Sequence, residues 1–259
     1  MKRFILVFAM LFILPVNSHA AIKSENIEYK QGDTVLEGYL VYDDATQDKR
    51  PGIVVVHNWM GFGAANQRAD MLAQLGYVAL AVDIYGKGIR PKDTDEAGMQ
   101  ATKYKGDRDL LRARVKAGLD VLKNNALVDT SKIAAIGYCF GGTTVLELAR
   151  SGADVAGVVS FHGGLSTPHP EDAKNIKGKV LVLHGAEDPF VLPSEVDGFQ
   201  KEMRDAKTDW QLISYGGAVH GFTDSGAGTD NSKGYAYNEK ADKRSWQAMQ
   251  EFFKEIFHQ

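Results

Sequence analysis

The chain carries the hexapeptide Gly137-Tyr138-Cys139-Phe140-Gly141-Gly142 between two different patterns. An apolar, strand-like run at 133–136 precedes it, and a helix-like stretch at 143–150 follows it. A strand that turns sharply into a helix with a nucleophile at the apex is a nucleophile elbow, whose usual apex residue is serine. Because the apex backbone is strained and crowded, glycines are needed two positions to either side. The hexapeptide therefore predicts Cys139 at such an apex, where the amides of the following helix favour its thiolate.

The segments around the hexapeptide alternate between strand and helix patterns. This alternation predicts an α/β fold with a mainly parallel sheet and helices on both faces, and functional residues at the carboxyl ends of the strands. Strands are predicted at 26–30, 34–41, 52–56, 77–82, 132–138, 155–161, 180–183 and 210–215, and helices at 64–75, 95–124 with a break near Gly106, 143–150, 194–204 and 239–257. Two segments rich in glycine and proline, 163–174 and 221–233, are candidate loops over a site.

The first twenty residues have the pattern of a secretory signal peptide. A basic start at Lys2 and Arg3 precedes an apolar run at 4–16 and small residues at Ser18 and Ala20. The run is too short to span a bilayer, which takes about 20 apolar residues. We therefore expect cleavage after Ala20, a mature α/β domain over 21–259 with no stable membrane anchor, and export to the periplasm.

Composition excludes several classes of function. The formal charge is −3, and no basic cluster stands out, so nucleic acid is not an expected partner. A single cysteine forms neither an internal disulfide nor a thiolate metal cluster, and no histidine pair has helical metal-binding spacing. The sequence predicts no metal and no cofactor, a small-molecule substrate, and a monomer or a small homo-oligomer.

Three predicted strand ends carry a nucleophile, an acid and a histidine in one chain order. Cys139 comes first, Asp188 follows the strand at 180–183, and His220 follows the strand at 210–215. This is the order of the triad in α/β-hydrolases, in which the acid orients the imidazole and the imidazole takes the nucleophile's proton. Glu187, one residue earlier, is an alternative orienting acid. A lone cysteine beside a strand can also be an inert buried residue, so the prediction depends on these partners.

The other histidines are weaker candidates. His57 ends a strand in front of a loop that is expected to supply an oxyanion amide, and His162 and His184 are expected to be structural. His169 and His258 are expected to face solvent.

These residues resemble the dienelactone hydrolase family of α/β-hydrolases. The resemblance runs from about Gly52 to the C-terminus and is carried by Gly-Tyr-Cys-Phe-Gly-Gly at 137–142, Val-Asp-Ile-Tyr-Gly at 82–86, Gly-Ala-Glu-Asp-Pro-Phe at 185–190 and Val-His-Gly-Phe at 219–222. It implies a cysteine hydrolase with the triad Cys139, Asp188 and His220. It also implies an oxyanion hole made by the backbone amides of Trp59 and Phe140.

Two positions depart from the family pattern. Where dienelactone hydrolases carry a glutamate that helps to activate the thiol, this chain has Asn58, which cannot act as a base. Where arginines would hold a substrate carboxylate, it has Thr223 and Asp224, although Lys87 is a candidate replacement for one of them. Asn58 and Lys87 are thus the candidate substrate-binding residues, and an anionic dienelactone is not the expected substrate.

A thiol nucleophile also restricts the leaving group. Its thiolate leaves more readily than an amine or a simple alkoxide, so enol esters, lactones with enol leaving groups, aryl esters and thioesters are expected over amides and alkyl esters. The leading hypothesis is a secreted hydrolase of such esters and lactones through an acyl-cysteine. The alternatives are a thioesterase or acyltransferase on the same triad, and a non-catalytic pocket protein or thiol sensor.

Overall fold

The computed structural model describes residues 21–258, which contain one eight-stranded sheet in the order β1-β2-β4-β3-β5-β6-β7-β8. The signal peptide predicted at 1–20 lies outside the described residues. Strands β3 to β8 run parallel, and β1 and β2 form an antiparallel hairpin at one edge. The strands are β1 (Ile22–Gln31), β2 (Thr34–Asp43), β3 (Arg50–Val56), β4 (Val78–Val82), β5 (Val128–Tyr138), β6 (Gly157–Phe161), β7 (Lys179–Gly185) and β8 (Trp210–Tyr215).

Six α-helices in the described range cover both faces of this sheet. They are α1 (Asn66–Gln74), α2 (Thr94–Gly106), α3 (Arg108–Lys123), α4 (Phe140–Arg150), α5 (Pro193–Ala206) and α6 (Glu239–Phe257). Short 3-10 turns lie between β6 and β7 at Pro170–Asn175 and between β8 and α6 at Asn231–Lys233. Two hydrophobic cores result, one on each face of the sheet. The central strands β3 and β4 are buried on both faces, as their unbroken apolar runs require. The predicted α/β fold is confirmed.

The break that the sequence predicts near Gly106 separates α2 from α3. Asp107 ends the first helix and caps the second, because its carboxylate accepts a hydrogen bond from the Leu110 amide at 2.9 Å. The predicted start of the fifth strand at residue 132 was wrong: β5 begins at Val128. Val128 pairs with Arg50 across an irregularity in the register, which no alternation of apolar residues reveals.

Helix α4, which follows the hexapeptide, is held by a buried ion-pair network. The Arg150 guanidinium donates to Glu147 at 3.0 Å, to Glu202 of α5 at 2.8 Å and to the Leu165 carbonyl at 2.8 Å. Arg150 is 1% exposed. These contacts fix the helix, and therefore the residue at its N-terminus, against α5 and the segment after β6. Within residues 21–258, no helix is both long enough and apolar enough to cross a membrane.

Candidate active site

Cys139 lies at the turn between β5 and α4 in a strained backbone conformation. Its φ is +54° and its ψ is −114°, a combination that residues with a side chain rarely adopt. A Cβ atom on Gly137 would lie 2.0 Å from the Gly141 carbonyl oxygen, and one on Gly141 would lie 2.4 Å from that of Val56. The turn is therefore possible only because both flanking residues are glycine.

The structure brings the three predicted triad residues together. The Sγ of Cys139 lies 3.1 Å from the Nε2 of His220, and the Nδ1 of His220 lies 2.7 Å from the Oδ2 of Asp188. The Asp188 side chain is fully buried, and its second oxygen accepts from the Phe190 amide at 2.9 Å. Glu187, the alternative acid, is exposed. Because β5, β7 and β8 are parallel, their carboxyl ends carry these residues to one edge of the sheet.

A return loop holds His220 in place. The loop after β8 leaves at Gly221 and comes back at Gly234, whose carbonyl accepts from the His220 amide at 3.1 Å. The Ala236 amide then donates to the His220 carbonyl at 3.1 Å. The imidazole is thus fixed through its own backbone as well as by Asp188.

The charges of this cluster favour a thiolate beside an imidazolium. Burial raises the pKa of the Cys139 thiol, but the neighbouring His220, with smaller effects from Lys105 and the Phe140 amide, brings it below its usual value. Burial lowers the pKa of His220, but Cys139 and Asp188 together raise it to about 10. Cys139 as a residue is partly exposed to solvent. An ionised sulfur in a partly exposed residue is a competent nucleophile.

Two backbone amides near the turn, those of Trp59 and Phe140, are the candidate oxyanion donors. Within residues 21–258, the amides of Trp59 and Phe140 have no oxygen acceptor in the protein. The Phe140 amide begins helix α4, and Trp59 follows β3, the strand next to β5. Tyr85 holds the loop that contains Trp59, since its hydroxyl donates to the Trp59 carbonyl at 3.0 Å. These are the two residues that the resemblance implied for the oxyanion hole.

An aromatic cluster lies behind these amides, which the sequence did not reveal. The rings of His57 and Phe140 lie 4.9 Å and 5.3 Å from Tyr85, and Tyr104 donates to the Tyr85 carbonyl at 2.8 Å. His57 is fully buried, accepts from the Ile84 amide and contacts the Asn58 carbonyl at 2.6 Å. The motif Val-Asp-Ile-Tyr-Gly, noted only as a mark of resemblance, thus contributes Tyr85 to the support of the loop that contains Trp59.

The two candidate substrate-binding residues have other contacts. The side-chain oxygen of Asn58 accepts from the Met60 amide at 2.9 Å, and Asn58 also lines a cavity near His220. The Lys87 amine pairs at 2.5 Å with Glu28 of the edge strand β1 and is half exposed. The structure does not bring Lys87 into contact with the triad.

His162, expected only to be structural, lies against the catalytic candidate His220. Their rings are 5.3 Å apart, and His162 has a positive φ of +39° at the end of β6. Its Nε2 lies 2.8 Å from the Thr223 hydroxyl, which belongs to the candidate loop 221–233. The other candidate loop, 163–174, lines a groove with α5. No cluster of three potential metal ligands occurs among residues 21–258.

Comparison with known proteins assigns the family. The model of the dienelactone hydrolase family matches residues 36–257. The chain belongs to the dienelactone hydrolase family. The predicted resemblance is thereby confirmed, and dienelactone hydrolase-like hydrolase activity is the family's function.

Solved structures and curated proteins agree with this assignment. A structure named m3DLH is 44% identical with a TM-score of 0.88, over 91% of this chain and 99% of that one. A dienelactone hydrolase-like promiscuous phosphotriesterase from metagenomic libraries is 41% identical with a TM-score of 0.86, over the same shares of the two chains. The carboxymethylenebutenolidase homolog of Mus musculus is 26% identical over 68% of this chain and 71% of its own.

Proposed function

We propose that this dienelactone hydrolase family member hydrolyses carboxylic esters, lactones and enol esters through a covalent acyl-cysteine. The observation that carries the proposal is the 3.1 Å contact between Cys139 and an imidazole that Asp188 holds at 2.7 Å. A nucleophile, a base and an orienting acid within hydrogen-bond reach are the requirements of nucleophilic acyl transfer. The assigned family supports the same chemistry.

In the first half-reaction the Cys139 thiolate attacks the acyl carbon. A C–S bond forms and the carbonyl oxygen becomes an oxyanion, for which the amides of Trp59 and Phe140 are available. When the oxyanion collapses, the C–O bond to the leaving group breaks. The imidazolium of His220 gives its proton to the leaving oxygen, which departs as an alcohol or enol.

In the second half-reaction water releases the acyl group. Neutral His220 takes a proton from the water, whose oxygen attacks the thioester carbon. The C–S bond then breaks, the acid product leaves, and the Cys139 thiolate is restored beside the imidazolium. Asn58 takes no part in proton transfer, because a side-chain amide is not a base near neutral pH.

A substrate panel tests this function. We expect the purified protein to turn over aryl and enol esters faster than a peptide amide, because the thiolate leaves before an amine. Cys139→Ala should reduce kcat by about 10⁴-fold or more without changing the melting temperature. Cleavage by Cys139→Ala at the native rate would refute the acyl-cysteine, and slow cleavage of every ester would refute the function.

The same assay, with acyl thioesters or an alcohol added, separates ester hydrolysis from the other hypotheses: a thioesterase or acyltransferase, and a non-catalytic thiol sensor or pocket protein. A thioesterase would prefer acyl thioesters over matched oxygen esters, and an acyltransferase would form a new ester when an alcohol is added. A thiol sensor or a pocket protein would show fast modification of Cys139 without turnover of any substrate.

Phosphotriester hydrolysis is a second candidate activity. The 41% identity to a dienelactone hydrolase-like promiscuous phosphotriesterase favours it. The thiolate would form an S–P bond while the P–O bond to an aryl leaving group breaks, and water would then cleave the S–P bond. Release of the phenol from an aryl dialkyl phosphate in more than one turnover supports the activity, and a single burst of phenol contradicts it.

A further inference from the structure

A polar cavity of about 300 Å³ lies beside the triad on the His220 side. Asn58, from the loop that contains Trp59, lines one part of it, and Thr223, Asp224 and Tyr235, from the loop that returns to His220, line another. The ring of Tyr235 is 6.0 Å from that of His220. The cavity therefore extends between the loop that contains Asn58 and the loop that holds His220.

Two buried polar groups without a partner belong to residues that line this cavity. The Tyr138 hydroxyl and the Nδ1 of His162 have no hydrogen-bond partner within the described protein, and both residues line the cavity. Tyr138 is 6% exposed and His162 is 2% exposed. Burying a polar group without a partner is costly, so each such group calls for an explanation. A ligand hydroxyl that reached either atom would satisfy it.

The charges around the cavity do not favour an anion. The guanidinium of Arg68 is already bound by Asp242 at 2.7 Å and by the Thr223 carbonyl at 2.9 Å. A second carboxylate, Asp224, accepts from the Tyr235 hydroxyl at 2.7 Å. One cation therefore faces two carboxylates, and an anionic ligand would be repelled.

The proton transfer expected of His220 indicates which part of a substrate would occupy this cavity. The leaving oxygen must approach the Nε2 of His220 to receive its proton, so the leaving group extends on the side of His220. Building on the ester hydrolase function, we propose that this cavity is the leaving-group subsite, and that it selects uncharged, hydroxyl-bearing alcohols, phenols or enols over those that carry a carboxylate. Tyr138 and His162 supply the hydrogen bonds of this selection, and Asp224 supplies the repulsion.

Phenyl acetates test the hydrogen-bonding part. The kcat/KM of each ester is first divided by its spontaneous hydrolysis rate. The corrected values for the ortho, meta and para hydroxymethylphenyl esters are then each divided by the corrected value for the unsubstituted phenyl ester. Tyr138→Phe should lower the largest of these ratios by about fivefold, the effect of one hydrogen bond. Its melting temperature should not fall, because the hydroxyl has no partner in the fold.

Tyr215→Phe is the matched control. Its hydroxyl is also buried without a partner, but Tyr215 does not line the cavity. An unchanged ratio in Tyr138→Phe for all three isomers, or an equal change in Tyr215→Phe, would overturn the proposal.

The electrostatic part has its own variant. Carboxyphenyl acetates should react about tenfold more slowly than their hydroxymethyl counterparts, and Asp224→Asn should remove most of this difference. Asp120→Asn, the same change on the exposed face of α3, should leave it intact. A difference that persists in Asp224→Asn would refute the role of Asp224, whereas failure of every ester to react would refute the ester hydrolase function itself.

Discussion

At the scale of single residues, the pairing of Cys139 with His220 decides the reactivity of the sulfur. Burial raises the pKa of the thiol and lowers that of the imidazole, so each group alone would be neutral. Their contact reverses both shifts and leaves a thiolate beside an imidazolium. The ion pair exists above the depressed thiol pKa and persists until His220 loses its proton near pH 10.

Alkylation of Cys139 across pH tests this pairing. The native protein should react with iodoacetamide at a lower pH than an ordinary thiol does, because His220 lowers the pKa of the Cys139 thiol. In His220→Asn the largest effect that opposes burial is lost, and the rate at pH 7 should fall by about 10- to 100-fold. The exposed His169→Asn is the control. Superimposable profiles for the native protein and His220→Asn would contradict the ion pair.

Asp188 and Glu187 are neighbours with opposite expected roles. Asp188→Asn should lower kcat by about 10³- to 10⁴-fold, because an amide no longer holds the Nδ1 proton of His220 in place. Glu187→Gln removes the same charge from the neighbouring residue, whose side chain is exposed, and should change kcat little. Steady-state kinetics on an aryl ester compares them, and a larger effect in Glu187→Gln would reassign the orienting acid.

At the scale of structural elements, the turn from β5 into α4 depends on backbone crowding. In Gly141→Ala the new Cβ would meet carbonyl oxygens of Val56 and His57 at 2.4 Å and 2.7 Å, neither of which can move without disturbing β3. We expect a loss of several kcal/mol of unfolding free energy in urea, or failure to fold.

Gly98→Ala is the control for the same chemical change. Gly98 lies in α2 with open space around it, and alanine there should stabilise the protein by about 0.5–1 kcal/mol. Equal effects of the two substitutions would show that the elbow tolerates a side chain.

The elements themselves were largely predictable, because each has a local signal. Apolar runs marked β3 to β7, and Gly76, with a φ of +91°, marked the end of α1. The convergence of Cys139, Asp188 and His220 was predictable for a related reason: parallel strands bring their carboxyl ends to one edge, so residues that follow those strands lie close together.

Contacts that join distant segments had no such signal. The approach of His162 to His220 depends on a left-handed backbone at the end of β6, and the support of Trp59 by Tyr85 spans two loops. The network of Arg150 likewise joins α4, α5 and a loop. Neither periodicity nor residue type predicts these contacts between distant segments, because they follow from packing after the sheet has formed.

At the scale of the whole molecule, neutral histidines are buried at the active edge of the sheet. Burial lowers the pKa of His57 to about 4, and it also lowers the pKa of His162 and of His184. Each accepts a proton in the unfolded chain near pH 6.5 but remains neutral in the folded chain to a lower pH. Unfolding is therefore coupled to proton uptake under mildly acidic conditions.

The stability of the domain should consequently fall as the pH is lowered from 7 to 5. Below pH 6.5 His57 is protonated in the unfolded state, whereas in the folded state it stays neutral down to about pH 4. This difference lowers the free energy of unfolding by about 2 kcal/mol at pH 5. His57→Gln should be less stable at pH 7, because its ring contacts are lost, but its further loss on going to pH 5 should be about 2 kcal/mol smaller than in the native protein. Urea unfolding at the two pH values measures this difference, with the exposed His169→Gln as control. An equal loss in His57→Gln and the native protein would mean that the buried ring does not couple folding to pH.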